Sequence, residues 1–129
     1  MSIPVVGIAG IAGRINGSSA ANPFTRIALG LGTTGVADTD TQLESEIITS
    51  GGERASATCS AITTDTAGDT AQLQKTFTFT AGGSFAITES GVLDDASTGI
   101  LLARQTFSAI NVASGDSLQV TWKFDVDTN

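Results

Sequence analysis

The chain has 129 residues, enough for one domain that buries roughly two thirds of its unfolded surface. Thirteen acidic against six basic side chains leave a net charge of −7, and the cations (Arg14, Arg26, Arg54, Lys75, Arg104, Lys123) stand singly. That excludes nucleic acid as a direct partner, because phosphate binding needs clustered Lys and Arg to displace counterions. The absence of His and Tyr and the presence of a single Cys remove most of the usual catalytic side chains and any internal disulfide. Synthesis in a reducing compartment follows as the expectation.

Residues 1–23 read as an extended apolar arm and a flexible joint, and residues 24–129 as a β-sandwich body. The arm is too short to cross a bilayer, and no Lys or Arg precedes it as a signal peptide would require. A glycine-rich terminus loses much backbone entropy on ordering, so it is expected to be held by a surface outside its own body. Laid out as an added strand, it would present Ile3, Val5, Val6, Ile8 and Ile11 to a neighbouring subunit. Residues 17–23, rich in Ser and Ala, would act as the joint.

Phe24 to Leu29 alternates as a first body strand, and the glycines of residues 30–35 end it. No Lys-Ser/Thr pair follows those glycines, so they do not form a phosphate loop. Thr41 and Glu44 have capping-box spacing, with Leu43 and Ile47 four apart, which predicts a short helix near 40–47. Asp38, Asp40, Glu44 and Glu46 make this the densest carboxylate stretch, yet it matches no calcium loop and is read as capping. Glu53 to Thr64 places Ala55, Ala57, Cys59 and Ala61 on one strand face, predicted to be packed inward.

Leu73, Phe77 and Phe79 alternate with Gln and Thr, and Lys75 interrupts their face. The glycine pair Gly82-Gly83 then predicts a hairpin into the strand that begins at Phe85. Asp94 to Gly99 is a turn, and Ile100 to Phe107 a near-continuous apolar strand. Ser117 to Asp127 alternates cleanly, with Leu118, Val120, Trp122, Phe124 and Val126 on one face. Trp122 is accordingly read as core. Strands starting near Phe24, Glu53, Ala71, Phe85, Ile100 and Ser117, with short ones near Val92 and Ile110, give six to eight. The fold class is all-β, an antiparallel β-sandwich, with a jelly-roll-like arrangement among the forms this allows.

Chemistry is sparse. Without His, only Lys75 or Lys123 could activate a nucleophile, and both lie on strand faces. The carboxylate pairs Asp94/Asp95 and Asp125/Asp127 sit in a turn and at a terminus. No catalytic, cofactor-binding or metal-ligating residue is assigned, and no enzyme is expected. Glu89 and Arg104 could pair across neighbouring strands, where an exposed pair would contribute under about 1 kcal/mol.

Several blocks together resemble a known family. Ile27-Ala28-Leu29-Gly30-Leu31-Gly32-Thr33-Thr34 and Thr39-Asp40-Thr41-Gln42-Leu43-Glu44-Ser45-Glu46 open the likeness. Ile87-Thr88-Glu89-Ser90-Gly91-Val92-Leu93-Asp94, Gly99-Ile100-Leu101-Leu102-Ala103-Arg104 and Gly115-Asp116-Ser117-Leu118-Gln119-Val120-Thr121-Trp122 continue it. In order and spacing they resemble small β-rich virion proteins of tailed bacteriophages, over about residues 27–124; the arm lies outside the pattern. The resemblance implies a structural virion component with no enzymatic activity and no catalytic residues, made in the host cytoplasm. The expected role is capsid decoration, a cement protein bound to the major capsid protein shell, with the arm anchored to a neighbouring subunit and a homo-oligomer, taken as a trimer. A tail, baseplate or fibre part is the alternative, and a receptor- or glycan-binding module a third. Neither nucleic acid nor membrane is an expected partner.

Overall fold

The computed structural model describes residues 3–18 and 21–126. Among these, one helix, α1 (Val5–Asn16), precedes seven strands. They are β1 (Arg26–Gly30), β2 (Ala55–Ser56), β3 (Thr58–Ile62), β4 (Thr70–Thr78), β5 (Phe85–Leu93), β6 (Leu101–Val112) and β7 (Ser117–Asp125). One sheet runs β2-β1-β5-β6 and the other β3-β4-β7, with every pairing antiparallel. The protein is an all-β sandwich. The segments expected near Val92 and Ile110 are the ends of β5 and β6, not separate strands.

Alternation builds the core. Ile27, Leu29, Ile87 and Val92 from the first sheet meet Leu73, Phe77 and Trp122 from the second. Leu118, Val120 and Phe124 pack against the same cluster, as the β7 pattern requires. The Trp122 Nε1–H donates to Ser90 Oγ at 3.0 Å, and Ser90 Oγ–H donates to the Ala28 carbonyl at 2.9 Å, so the indole keeps its polar handle satisfied across the two sheets.

The single strand expected over Glu53–Thr64 is divided between the sheets. The Ala57 N–H donates to the Thr25 carbonyl, and on either side of it β2 pairs with β1 while β3 pairs with β4. Ala55 and Ala57 pack on the core as expected, but Cys59 is exposed. The inward reading of Cys59 and Ala61 is therefore corrected: β3 is an outer strand of the smaller sheet, and four of its five residues, these two included, face water.

The expected hairpin at Gly82-Gly83 is also corrected. A tight turn exists there, closed by Gly83 N–H to the Thr80 carbonyl, with Gly82 at φ +84°. The strands it joins, however, belong to opposite sheets. Beyond Thr78 the backbone of Phe79 bonds to Asp116 and Gly115 in the β6–β7 turn, leaving no ladder for β5. Phe79 and Phe85 then meet edge to face across the interior, ring centres 6.0 Å apart.

No helix forms over 40–47. The N–H groups of Glu44 and Ser45 donate to the Glu89 carboxylate instead of to helical carbonyls. Leu31 N–H donates to the Ser45 carbonyl and Ile47 N–H to that of Leu29, so the segment is drawn alongside the end of β1. Leu43 and Ile47 are still buried. The capping-box spacing lost to a sheet edge and a buried carboxylate.

Finally, the arm is helical, not extended. Gly7, Gly10 and Gly13 form one face of α1, which lets the backbone lie directly on the first residues of β6. A methyl group at Gly7 would run into the Leu102 carbonyl oxygen and come within 2.8 Å of that of Leu101; one at Gly10 would lie 2.9 Å from the Phe24 ring. A helix satisfies its own N–H groups, whereas an added strand needs a free edge to receive it. Pro4 stands before the first turn, Arg14 lies in the last, and Gly17 closes the helix at φ +73°. The arm thus rests on its own body, contrary to the expectation that only a companion would hold it.

Candidate functional site

Two groupings of side chains are candidates: a buried charge cluster and the outward face of α1. The cluster centres on Glu89 in β5 and Arg104 in β6, which are 0% and 2% exposed. Their pairing across neighbouring strands was legible in the sequence; their burial was not. Arg104 Nε–H donates to Glu89 Oε1 at 2.7 Å, and the other guanidinium nitrogens donate to Asp40 Oδ2 at 3.1 Å and to the Thr34 carbonyl at 2.8 Å. Glu89 also accepts the N–H groups of Gly32 and Ser45, both at 2.8 Å, and that of Glu44 at 3.0 Å.

Burial pushes the Glu89 carboxyl up, but Arg104 and the three N–H donors outweigh it and hold its pKa below the usual carboxylate range. Burial likewise works against the Arg104 charge, and Glu89 and Asp40 more than restore it. The pair clamps residues 32–45 onto the sheet, through Gly32, Thr34, Asp40, Glu44 and Ser45. Gly32 is required there, because a Cβ would sit 2.5 Å from Glu89 Oε2.

The carboxylates of 38–46 disperse rather than converge. Asp40 serves Arg104 and the Ala37 N–H, Glu44 accepts from Thr33, and Glu46 forms a two-pronged pair with Arg54 at 2.7 and 2.9 Å. Among the described residues no three His, Cys, Asp or Glu side chains are grouped to hold a metal ion. Asp94 accepts the N–H groups of Asn22 and Ile100, clamping the joint to the β5–β6 turn, and Asp95 accepts that of Ala96. Asp127 lies outside the described residues.

The second candidate is α1. Of the arm residues expected to meet a partner, Ile3 packs against the main core and Val6 against a smaller cluster of Ala28, Leu43, Leu93 and Leu101. The other three point away from the body: Val5 is 61% exposed, Ile8 58% and Ile11 37%. Ile15, outside the expected set, is the most exposed at 82%. The helix is inverted relative to an ordinary surface helix, with its glycines against the sheet and its branched aliphatics in water. The signal that could have found Ile15 is helical spacing from Val5 and Ile8, which an extended reading of the arm hides.

Beside this face runs an apolar groove of about 570 Å³, between α1 and the ends of β4 and β7, with Ile11, Ile15, Phe24, Leu73, Phe124 and Val126 in its walls. Val126 is itself widely exposed, so aliphatic surface continues from the helix across the groove to the second sheet. Contiguous apolar surface of this kind marks an interaction site. No family model matches the chain, and no curated protein matches it. No helix among the described residues is long and apolar enough to cross a membrane.

Proposed function

We propose that the protein is a structural subunit of a virion, a capsid decoration protein that binds and stabilises the major capsid protein shell and engages a neighbouring subunit through α1. The observation that carries the reading is the inverted helix: Val5, Ile8, Ile11 and Ile15 are turned to solvent while glycines occupy the face against the body. Such surface is costly to leave in water, about 25 cal/mol per Å² of apolar area, and an assembly contact removes it. The ordered blocks over residues 27–124 that resemble tailed-phage virion proteins supply the kind of assembly. The body behind the helix spends its buried charges on one another, as a scaffold does. Many identical sites on a shell add avidity, so a modest contact per copy suffices.

The test is the location and copy number of the chain in purified particles, by quantitative mass spectrometry and density labelling. Hundreds of copies on the head support decoration. Tens or fewer, located on the tail, move the module to the tail, baseplate or fibre. Particles that lack the chain reject the structural role.

A further inference from the structure

We propose that α1 and the groove beside it receive a segment of another protein that is aliphatic at its centre and carries Lys or Arg around it. This rests on the reading of the protein as an assembly subunit and names the chemistry of the neighbour at that surface.

The centre of the surface sets the first half of that chemistry. Ile11 and Ile15 of α1 line the groove on one side, and Leu73, Leu102 and Phe124, from three different strands, line it on the other. Leu73 and Leu102 also belong to the main core and Phe124 packs against it, so the groove opens toward the interior between the two sheets. A side chain entering there meets the neighbours a core residue would meet, the setting in which an interface anchor is worth most. Of the lining residues only Arg14 and Asp125 are polar, and the Arg14 Nη1–H is directed to the Ala21 carbonyl of the joint at 3.4 Å. An aliphatic occupant therefore displaces water without leaving a buried donor or acceptor unpaired.

The rim sets the second half, and it is acidic at both ends. Val5 N–H donates to the Asp38 carbonyl, which places the exposed Asp38 at the first turn of α1. At the other end Asp125 lines the groove and Asp69 stands next to it. The Thr70 hydroxyl lies 2.9 Å from Asp69 Oδ1 and 3.4 Å from Asp125 Oδ1, and the Asp69 carbonyl accepts the Val126 N–H. Asp65, exposed in the same loop, donates its N–H to Asp69 Oδ2. No ion pair among the described residues neutralises Asp38, Asp65 or Asp69. Against these four carboxylates stand Arg14 in the groove and Lys123, two residues before Asp125.

Charge complementarity chooses the occupant. An apolar centre inside a rim of one sign fits a partner with the opposite sign around its own apolar centre, because the rim speeds encounter and turns away like-charged surfaces. A second copy would bring the same carboxylates against themselves, on bodies that each carry a net −7. An anionic membrane meets the same repulsion. A basic, aliphatic protein segment suits both the centre and the rim.

The experiment uses the full chain and two synthetic helical peptides of about 16 residues, each with a Leu face, one with Lys and the other with Glu at every remaining position. Binding is followed by calorimetry and by amide NMR shifts. At about 50 mM salt the Lys peptide is expected to bind at least about tenfold more tightly than the Glu peptide, and the difference to shrink above about 500 mM. The shifts should centre on α1 and Phe124. Ile8→Ser/Ile15→Ser should weaken the Lys peptide about tenfold or more with the unfolding midpoint unchanged, since both side chains are turned to water. Asp38→Asn/Asp125→Asn keeps the oxygens those residues use in the fold and should narrow the preference for Lys over Glu about threefold or more. Ile48→Ser, at an exposed aliphatic outside the groove, should change neither affinity. Equal binding of the two peptides, tighter binding of the Glu peptide, or Lys-peptide binding that survives the Ile substitutions overturns the proposal. So does a face that ignores both peptides and takes phosphatidylcholine vesicles or a second copy instead. Particle occupancy is read separately: a chain present on virions but indifferent to peptide charge rejects the basic partner alone, and one that selects the Lys peptide but is absent from virions rejects the structural role alone.

Discussion

Glu89 and Arg104 bring opposite charges into the interior, and each is worth more to the fold as an organiser than as half of an ion pair. Two charges removed from water repay their desolvation only when geometry is good and the remaining lone pairs are used. Here Glu89 accepts from three backbone N–H groups besides Arg104, so its loss would orphan the loop as well as the guanidinium. Glu89→Gln is expected to cost about 3 kcal/mol in urea unfolding. Adding Arg104→Met should recover only part of that, since Gly32, Glu44 and Ser45 would still lack the full carboxylate acceptor. The same residue sets an acid sensitivity. Its folded pKa is depressed, so its stabilisation is complete above its ordinary value of 4.5 and is lost as pH falls through the folded value. Glu44, held low by Thr34, and Asp69, held low by the N–H groups of Thr66, Thr64 and Asp65, act in the same direction. Urea midpoints measured from about pH 7 down to about pH 3 should fall below pH 4.5, and less steeply in Glu89→Gln.

The elements divide by how local their causes are. Strands β4 and β7 were legible because half-burial writes a two-residue alternation into the sequence, which β7 carries without a break, and β6 because its first residues, buried on both faces, form a near-continuous apolar run. Which strands share a sheet was not legible. The Gly82-Gly83 turn looks the same whether it closes a hairpin or hands the chain to the opposite sheet, and Asp116 and Gly115, distant in sequence, decide the outcome. The segment 40–47 failed for a related reason: its capping-box spacing is real, but the donors it needed are taken by a carboxylate from β5. The arm was misread because a glycine at every third position weakens both the strand and the helix periods. α1 also yields a prediction of opposing terms. Gly7→Ala should raise intrinsic helix propensity by about 1 kcal/mol, yet the added methyl meets the backbone of Leu101 and Leu102. Backbone cannot give way cheaply, so the net effect should be destabilising by about 1–3 kcal/mol, with faster proteolysis in residues 17–23 as the helix lifts from β6. Ala at exposed Ala9 is already tolerated, and Ala9→Leu should leave stability of the isolated chain within about 0.5 kcal/mol.

At the scale of the whole molecule, an acidic sandwich carries a helix that holds no carboxylate and turns Val5, Ile8, Ile11 and Ile15 away from the body. The interior satisfies its own polar groups: no buried side-chain nitrogen or oxygen among the described residues lacks a hydrogen-bond partner. Single exposed aliphatics such as Ile48 are scattered over the body, but four of them, Val5, Ile8, Ile11 and Ile15, share α1, beside the apolar groove. The claim that this face is covered in the working assembly is tested most directly by the chemical accessibility of Ile8. With the exposed Cys59 replaced by Ser and Ile8 replaced by Cys, maleimide labelling would be timed in the dilute dissociated chain and in the assembled state. The account predicts rapid labelling when dilute and protection of about tenfold or more on assembly. Equal labelling rates in the two states would contradict it.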